Sequence, residues 1–225
     1  MTGDALSVLA EECAALSAVL HGLGRADWQR ATNCPPWDLR ELVVHIGASI
    51  AVRGPLPPAE PGADRRGTAD YYRRPERNTT EYRQGNVDRT RELAGRVAAD
   101  VPPAGWFDGV VRDTLAYLRA DDPDRVVRII GVGSMRLADW TATRVISVAV
   151  HGLDVALTLG RPAWTVPPAL DLSRDVFVAL LGGPPPPALG WDDGTFLAAA
   201  TGRRALTDRE RAVLGSDQER FPLVS

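Results

Sequence analysis

The sequence predicts a mostly α protein: a four-helix bundle over residues 1–162, then a small α(+β) C-terminal domain over residues 163–225. Three observations lead there. Apolar residues recur every three or four positions through the long segments of the first 160 residues, the period of helices with one buried face. Only one short stretch, 125–130, is apolar and β-branched enough to read as extended chain. After Pro162 the chain turns to short helical segments broken by proline and glycine, which marks a second, smaller unit.

Leu6, Leu9, Cys13, Leu16, Val19, Leu20 and Leu23 place the first helix over about 4–23, with Gly22 and Gly24 ending it. Asp38 with Glu41 three residues later is a capping box, so a second helix starts there. It runs to about Arg53, with Leu39, Leu42, Val43 and Ile46 turned inward. Residues 54–77 are rich in Pro, Gly and Arg and read as a surface loop able to cover a cleft, with Tyr71 and Tyr72 near its end. A third helix is expected at roughly 78–99 and a fourth at about 105–119, separated by Pro102-Pro103. Arg125 to Ile130 is expected as an isolated strand or extended segment, and Leu137 to Leu159 as the last long helix, stopped by Gly160 and Pro162. Beyond it come a helix at about 167–181, the stiff Gly182–Pro187 linker, a short helix at 194–201 and one at 207–214 capped by Thr207 with Glu210.

The composition excludes several classes. With 44% apolar and 24% charged residues, a chain of 225 has the balance and the length for a folded core. A net charge of −3 gives no basic footprint for nucleic acid. All 26 basic residues are Arg, which reads as coding bias. No basic leader precedes the first helix, and no run reaches the ~18 apolar residues of a membrane span, so a cytoplasmic protein with no membrane partner is expected. Two cysteines make no disulfide framework; Cys13 belongs to a helix's apolar face, while Cys34 sits in a loop beside a candidate site.

Three histidines are available. His45 lies on the apolar side of helix two, and His151 in the middle of the last long helix, where bundle interiors commonly assemble sites from facing helices. His21 reads as a helix-end or surface residue. Ser147, four residues before His151, shares its helix face, as does Asp154 three residues after it. A Ser147–His151–Asp154 nucleophile is disfavoured, because one helix does not aim the serine at the imidazole. Arg203 offers a bidentate fork for a carboxylate, Arg144 is expected in an internal ion pair, and Tyr72 is a candidate pocket wall.

Trp28, the run Thr32 to Ile46 containing Cys34-Pro35-Pro36-Trp37-Asp38 and His45, Gly131 to Met135, Thr143-Arg144 through His151-Gly152-Leu153-Asp154, and Thr201-Gly202-Arg203 carry a resemblance. Together they resemble the DinB-like superfamily, in its mycothiol-dependent maleylpyruvate isomerase branch, over almost the whole chain. The resemblance implies a DinB-like four-helix bundle, mycothiol as cofactor, and a divalent metal, usually zinc, on three protein ligands. His45 and His151 match the first and last of those ligands, and Ser147 stands where a Glu or His belongs.

That substitution leaves three readings open. Asp154 swings onto a retained metal, although its implied role is to fix the His151 tautomer. Alternatively, the site is metal-free, with His45 and His151 as an acid/base pair and Ser147 as hydrogen-bond donor. Finally, the pocket has become a binding site or plain core. The corresponding functions are an isomerase or thiol S-transferase relative, in the metal-free case an acid/base tailoring enzyme of actinobacterial secondary metabolism, or a non-catalytic resistance or sequestration protein that binds a small molecule.

Overall fold

The computed structural model describes residues 4–97 and 101–224; residues 1–3, and residues 98–99 at the end of the expected third helix, lie outside them. Among the described residues the helices are α1 (Ala5–His21), α2 (Leu39–Ile50), α3 (Thr68–Tyr72), α4 (Thr80–Arg96), α5 (Pro103–Arg119), α6 (Leu137–Leu159), α7 (Pro167–Leu181), α8 (Asp193–Ala200) and α9 (Asp208–Leu214). The strands β1 (Val126–Ile129) and β2 (Gly133–Arg136) form one antiparallel hairpin. α1 and α2 each pack against both α5 and α6, and these four make the bundle; α4, the third helix read from sequence, lies outside it against α2.

The local reasons are legible. Asp38 Oδ1 accepts the Glu41 N–H at 2.8 Å and Glu41 Oε2 accepts the Asp38 N–H at 3.2 Å, a capping box that starts α2. Gly160 ends α6 at φ 63°, a left-handed conformation glycine adopts without a Cβ penalty. α6 is the one helix among the described residues long and apolar enough to cross a membrane, but it is mostly buried inside the protein as the central core helix. Its Val145 and Ala149 join Leu9 and Leu16 of α1, and Phe177 and Phe196 of α7 and α8, in one apolar cluster that continues past residue 162.

Two elements escaped sequence reading. The expected lone strand has a partner, β2, pairing Val127 with Met135; Gly133-Ser134-Met135-Arg136 carries neither alternation nor β-branched residues to announce it. The 54–77 loop contains α3, too short for a periodic signal, and is strapped to the hairpin by backbone bonds. Ala59 N–H donates to Val126 O (3.1 Å), Arg128 N–H to Pro57 O (2.8 Å) and Arg66 N–H to Ser134 O (2.7 Å). The strap carries Tyr71 and Tyr72 onto α6, where the Tyr72 hydroxyl donates to Thr143 O at 3.1 Å.

α2 and α5 approach closely at Gly47, where a Cβ would lie 2.5 Å from the Trp106 ring. Gly47→Ala is therefore expected to cost about 1–3 kcal/mol by overpacking, against a helix-propensity gain of about 1 kcal/mol. A denaturant midpoint at or above the wild-type value would show that Trp106 yields freely.

Candidate functional site

Between α2, α4, α6 and the strap lies a cavity of about 360 Å³. α2 supplies His45 and Ser49, α6 supplies Arg144, Ser147 and His151, α4 supplies Arg89 and Thr90, and the strap supplies Tyr71, Tyr72 and Arg77. Burying these polar groups in a bundle interior is costly unless each finds a partner. Their partners define the site.

Asp154 is fully buried. Its Oδ2 accepts from His151 Nδ1 (2.9 Å) and Arg203 Nη2 (2.7 Å), and its Oδ1 from Arg203 Nε (2.9 Å) and Asn33 Nδ2 (2.6 Å). Burial pushes its carboxyl pKa up, but the His151 and Arg203 bonds outweigh burial and hold it well below the usual carboxylate range. An ionised carboxylate only accepts, so His151 Nδ1 carries a proton toward Asp154, and Nε2 is the ring nitrogen left for the cavity. Arg203 spends its fork on Asp154 and its Nη1 on Thr201 O at 2.7 Å, while still lining the cavity.

His45 stacks on Trp37 at 4.4 Å between centroids, meets the edge of the His151 ring at 5.0 Å, and bonds Thr90 Oγ1 through Nδ1 at 3.2 Å. Burial lowers its pKa to about 3, with His151 and the nearby Arg77 and Arg89 adding to the effect, so it is neutral in the working range. Ser49 Oγ donates to Ile46 O at 2.7 Å and lies 2.8 Å from Ser147 Oγ. Ser49 has a single proton, so Ser147 is the donor of that second bond, and its hydroxyl hydrogen is already committed.

The implied zinc does not fit this donor set. Two imidazoles and a committed neutral hydroxyl fall short of three strong ligands. A second group, Cys34, His151 and Asp154, has ligand atoms within 4.8 Å of one another. There the Asp154 oxygens are taken by four donors, and burial together with the Asp154 charge pushes the Cys34 thiol up to about 12. A dication would also face Arg53, Arg77, Arg89 and Arg144, which line the cavity without a carboxylate partner among the described residues, and no acidic residue lines the cavity with them.

Arg144 departs from the expected ion pair. It is buried, donates through Nε and Nη2 to Thr143 Oγ1 (2.9 and 2.8 Å) and through Nη1 to Ser49 O (2.5 Å), and stacks between Tyr71 and Trp140. His21 is remote and exposed, against Asp108 at 2.7 Å. Sequence reading missed Ser49, Thr90 and Asn33; Ser49 stands four residues after His45, the spacing that stacks two side chains on one helix face.

The mycothiol maleylpyruvate isomerase N-terminal domain is the family model that matches, over residues 9–156. No curated protein and no solved structure matches the chain.

Proposed function

From the premise that the chain belongs to the mycothiol maleylpyruvate isomerase N-terminal domain family, we propose that it is an enzyme acting on a small anionic molecule by metal-independent acid/base chemistry. The observation that carries this reading is the pairing of Arg53, Arg77, Arg89 and Arg144, none with a carboxylate partner among the described residues, with an oriented His151 in one cavity. Buried or clustered guanidinium groups without counter-ions favour an anionic ligand, and carboxylates suit them best through paired hydrogen bonds.

In this reading His151 Nε2 takes a proton from the bound molecule. Asp154 keeps the ring in the required tautomer and stabilises the imidazolium that forms, while neutral His45, packed against the edge of the His151 ring, walls the site beside it. Tyr72 and Arg203 shape the wall, with their own donors held by Thr143 O and by Asp154. Mycothiol, when bound, would supply a thiolate nucleophile. The residues here fit it through the guanidinium groups that would hold its sulfur ionised.

The test is turnover of maleylpyruvate with and without a chelator and with and without mycothiol. Turnover should survive the chelator, and His151→Gln should lower kcat about 10²–10⁴-fold. Abolition by the chelator, or one equivalent of zinc in the purified wild type, overturns the metal-independent reading. Ser147→Glu should take up zinc or nickel where the wild type does not, as read by metal analysis. Anion binding without turnover, on maleylpyruvate or on related anions, would favour a binding protein built on the same cavity.

A further inference from the structure

Four groups bear on Tyr71. The guanidinium carbons of Arg74, Arg144 and Arg77 lie 4.6, 4.9 and 5.2 Å from its ring centroid, and Tyr72 meets the ring edge at 5.2 Å. Arg74 is shared with Glu76, at 3.8 Å and half exposed; Arg77 and Arg144 have no carboxylate among the described residues. Tyr71 lines the same cavity as His151. The strap and α6 thus surround one phenol with three cations, two of which have no carboxylate partner among the described residues.

We propose that Tyr71 is the cavity's second proton-transfer group: at mildly alkaline pH a phenolate counter-ion to Arg144 and Arg77 when the cavity is empty, and a phenol when an anionic ligand occupies those arginines. The inference rests on the anion-binding reading above and deepens it. Arg144 is buried with its donors on neutral oxygens, Arg77 meets the Tyr82 hydroxyl, and no carboxylate among the described residues lies against either, so negative charge beside both comes from Tyr71, which they flank, or from a ligand. Burial pushes the phenol upward, yet Arg144, Arg77 and Arg74 together bring it down to about 8, whereas Tyr72, deeper and bonded to Thr143 O, is pushed up instead. The proton balance is simple. Above about pH 8, ligand entry draws one proton from solvent onto Tyr71 Oη, no other bond changes, and that proton is then held in the same cavity as the His151 base.

Two measurements test this, one of them without ligand. Tyrosinate absorbance of the folded protein should show one of the four tyrosines ionising near pH 8, two units below an ordinary phenol. The step should vanish in Tyr71→Phe and move upward in Arg77→Gln. A wild type whose tyrosines all ionise near pH 10 or above, or a low step that persists in Tyr71→Phe, overturns the proposal. With maleate as probe, calorimetry in buffers of different ionisation enthalpy should show uptake of one proton per maleate above pH 8, and affinity should fall about tenfold per further pH unit. Tyr71→Phe should bind maleate with no proton uptake and no such fall. A flat wild-type profile overturns the coupling. Failure of maleate and related anions to bind would sink the anion-binding reading, leaving the absorbance titration to decide for or against Tyr71 by itself.

Discussion

Asp154→Asn is expected to lower stability by about 3–5 kcal/mol and to lower kcat on any substrate His151 serves by orders of magnitude. The amide keeps the shape but removes the charge that compensates Arg203, whose side chain is only 12% exposed; a buried ion left without its partner costs that much. It also offers a donor where His151 Nδ1 donates, so the imidazole loses its imposed tautomer. Urea unfolding should show the loss. The double variant Asp154→Asn/Arg203→Met should recover a large part of it, because the unpaired cation goes too. A single-variant loss under about 1 kcal/mol would show that Arg203 finds water instead. Because the wild-type carboxyl is depressed, its stabilising contribution is complete above the ordinary carboxylate pKa and fades only as pH falls through the lower folded-state value.

The second large effect has the opposite sign with pH. Glu12 of α1 is wholly buried; its Oε2 accepts the Val166 N–H at 2.9 Å, while its Oε1 and the nearby Trp164 Nε1 have no partner among the described residues. Burial raises its pKa from 4.5 to about 7, against the smaller pull of the Val166 bond. The folded state therefore holds a proton that the unfolded chain releases. The associated stability is complete below about pH 4.5 and is lost as pH rises through about 7, a difference of about 3 kcal/mol. Glu12→Gln keeps an acceptor for Val166 and cannot ionise. Its stability relative to wild type should climb by about that amount between pH 4.5 and 8, and parallel profiles would contradict the account.

Much of the fold is legible in the chain because its signals are local. Asp38 with Glu41, the apolar stripe of α1 and the Gly160 stop each fix an element within a few residues. β2 and α3 were illegible for the converse reason: a four-residue strand and a five-residue helix are too short for a period, and only pairing with β1 and the strap reveals them. The same division runs through the site. His45, His151 and Asp154 announce themselves by spacing along their helices. That Ser147 gives its proton to Ser49, 98 residues earlier, or that Arg144 meets Tyr71 rather than an acid, depends on which helices become neighbours.

The hydroxyl chain from Ser147 through Ser49 to Ile46 O ties α6 to α2 at the level where the implied zinc would sit. A metal-clamped bundle draws its rigidity from a supply outside the protein and is exposed to competition when that supply runs short. Two uncharged hydroxyls need no supply and do not titrate. If the site works without metal as proposed, the spacing of these two helices and the shape of the cavity between them are decoupled from zinc supply and set by the chain itself.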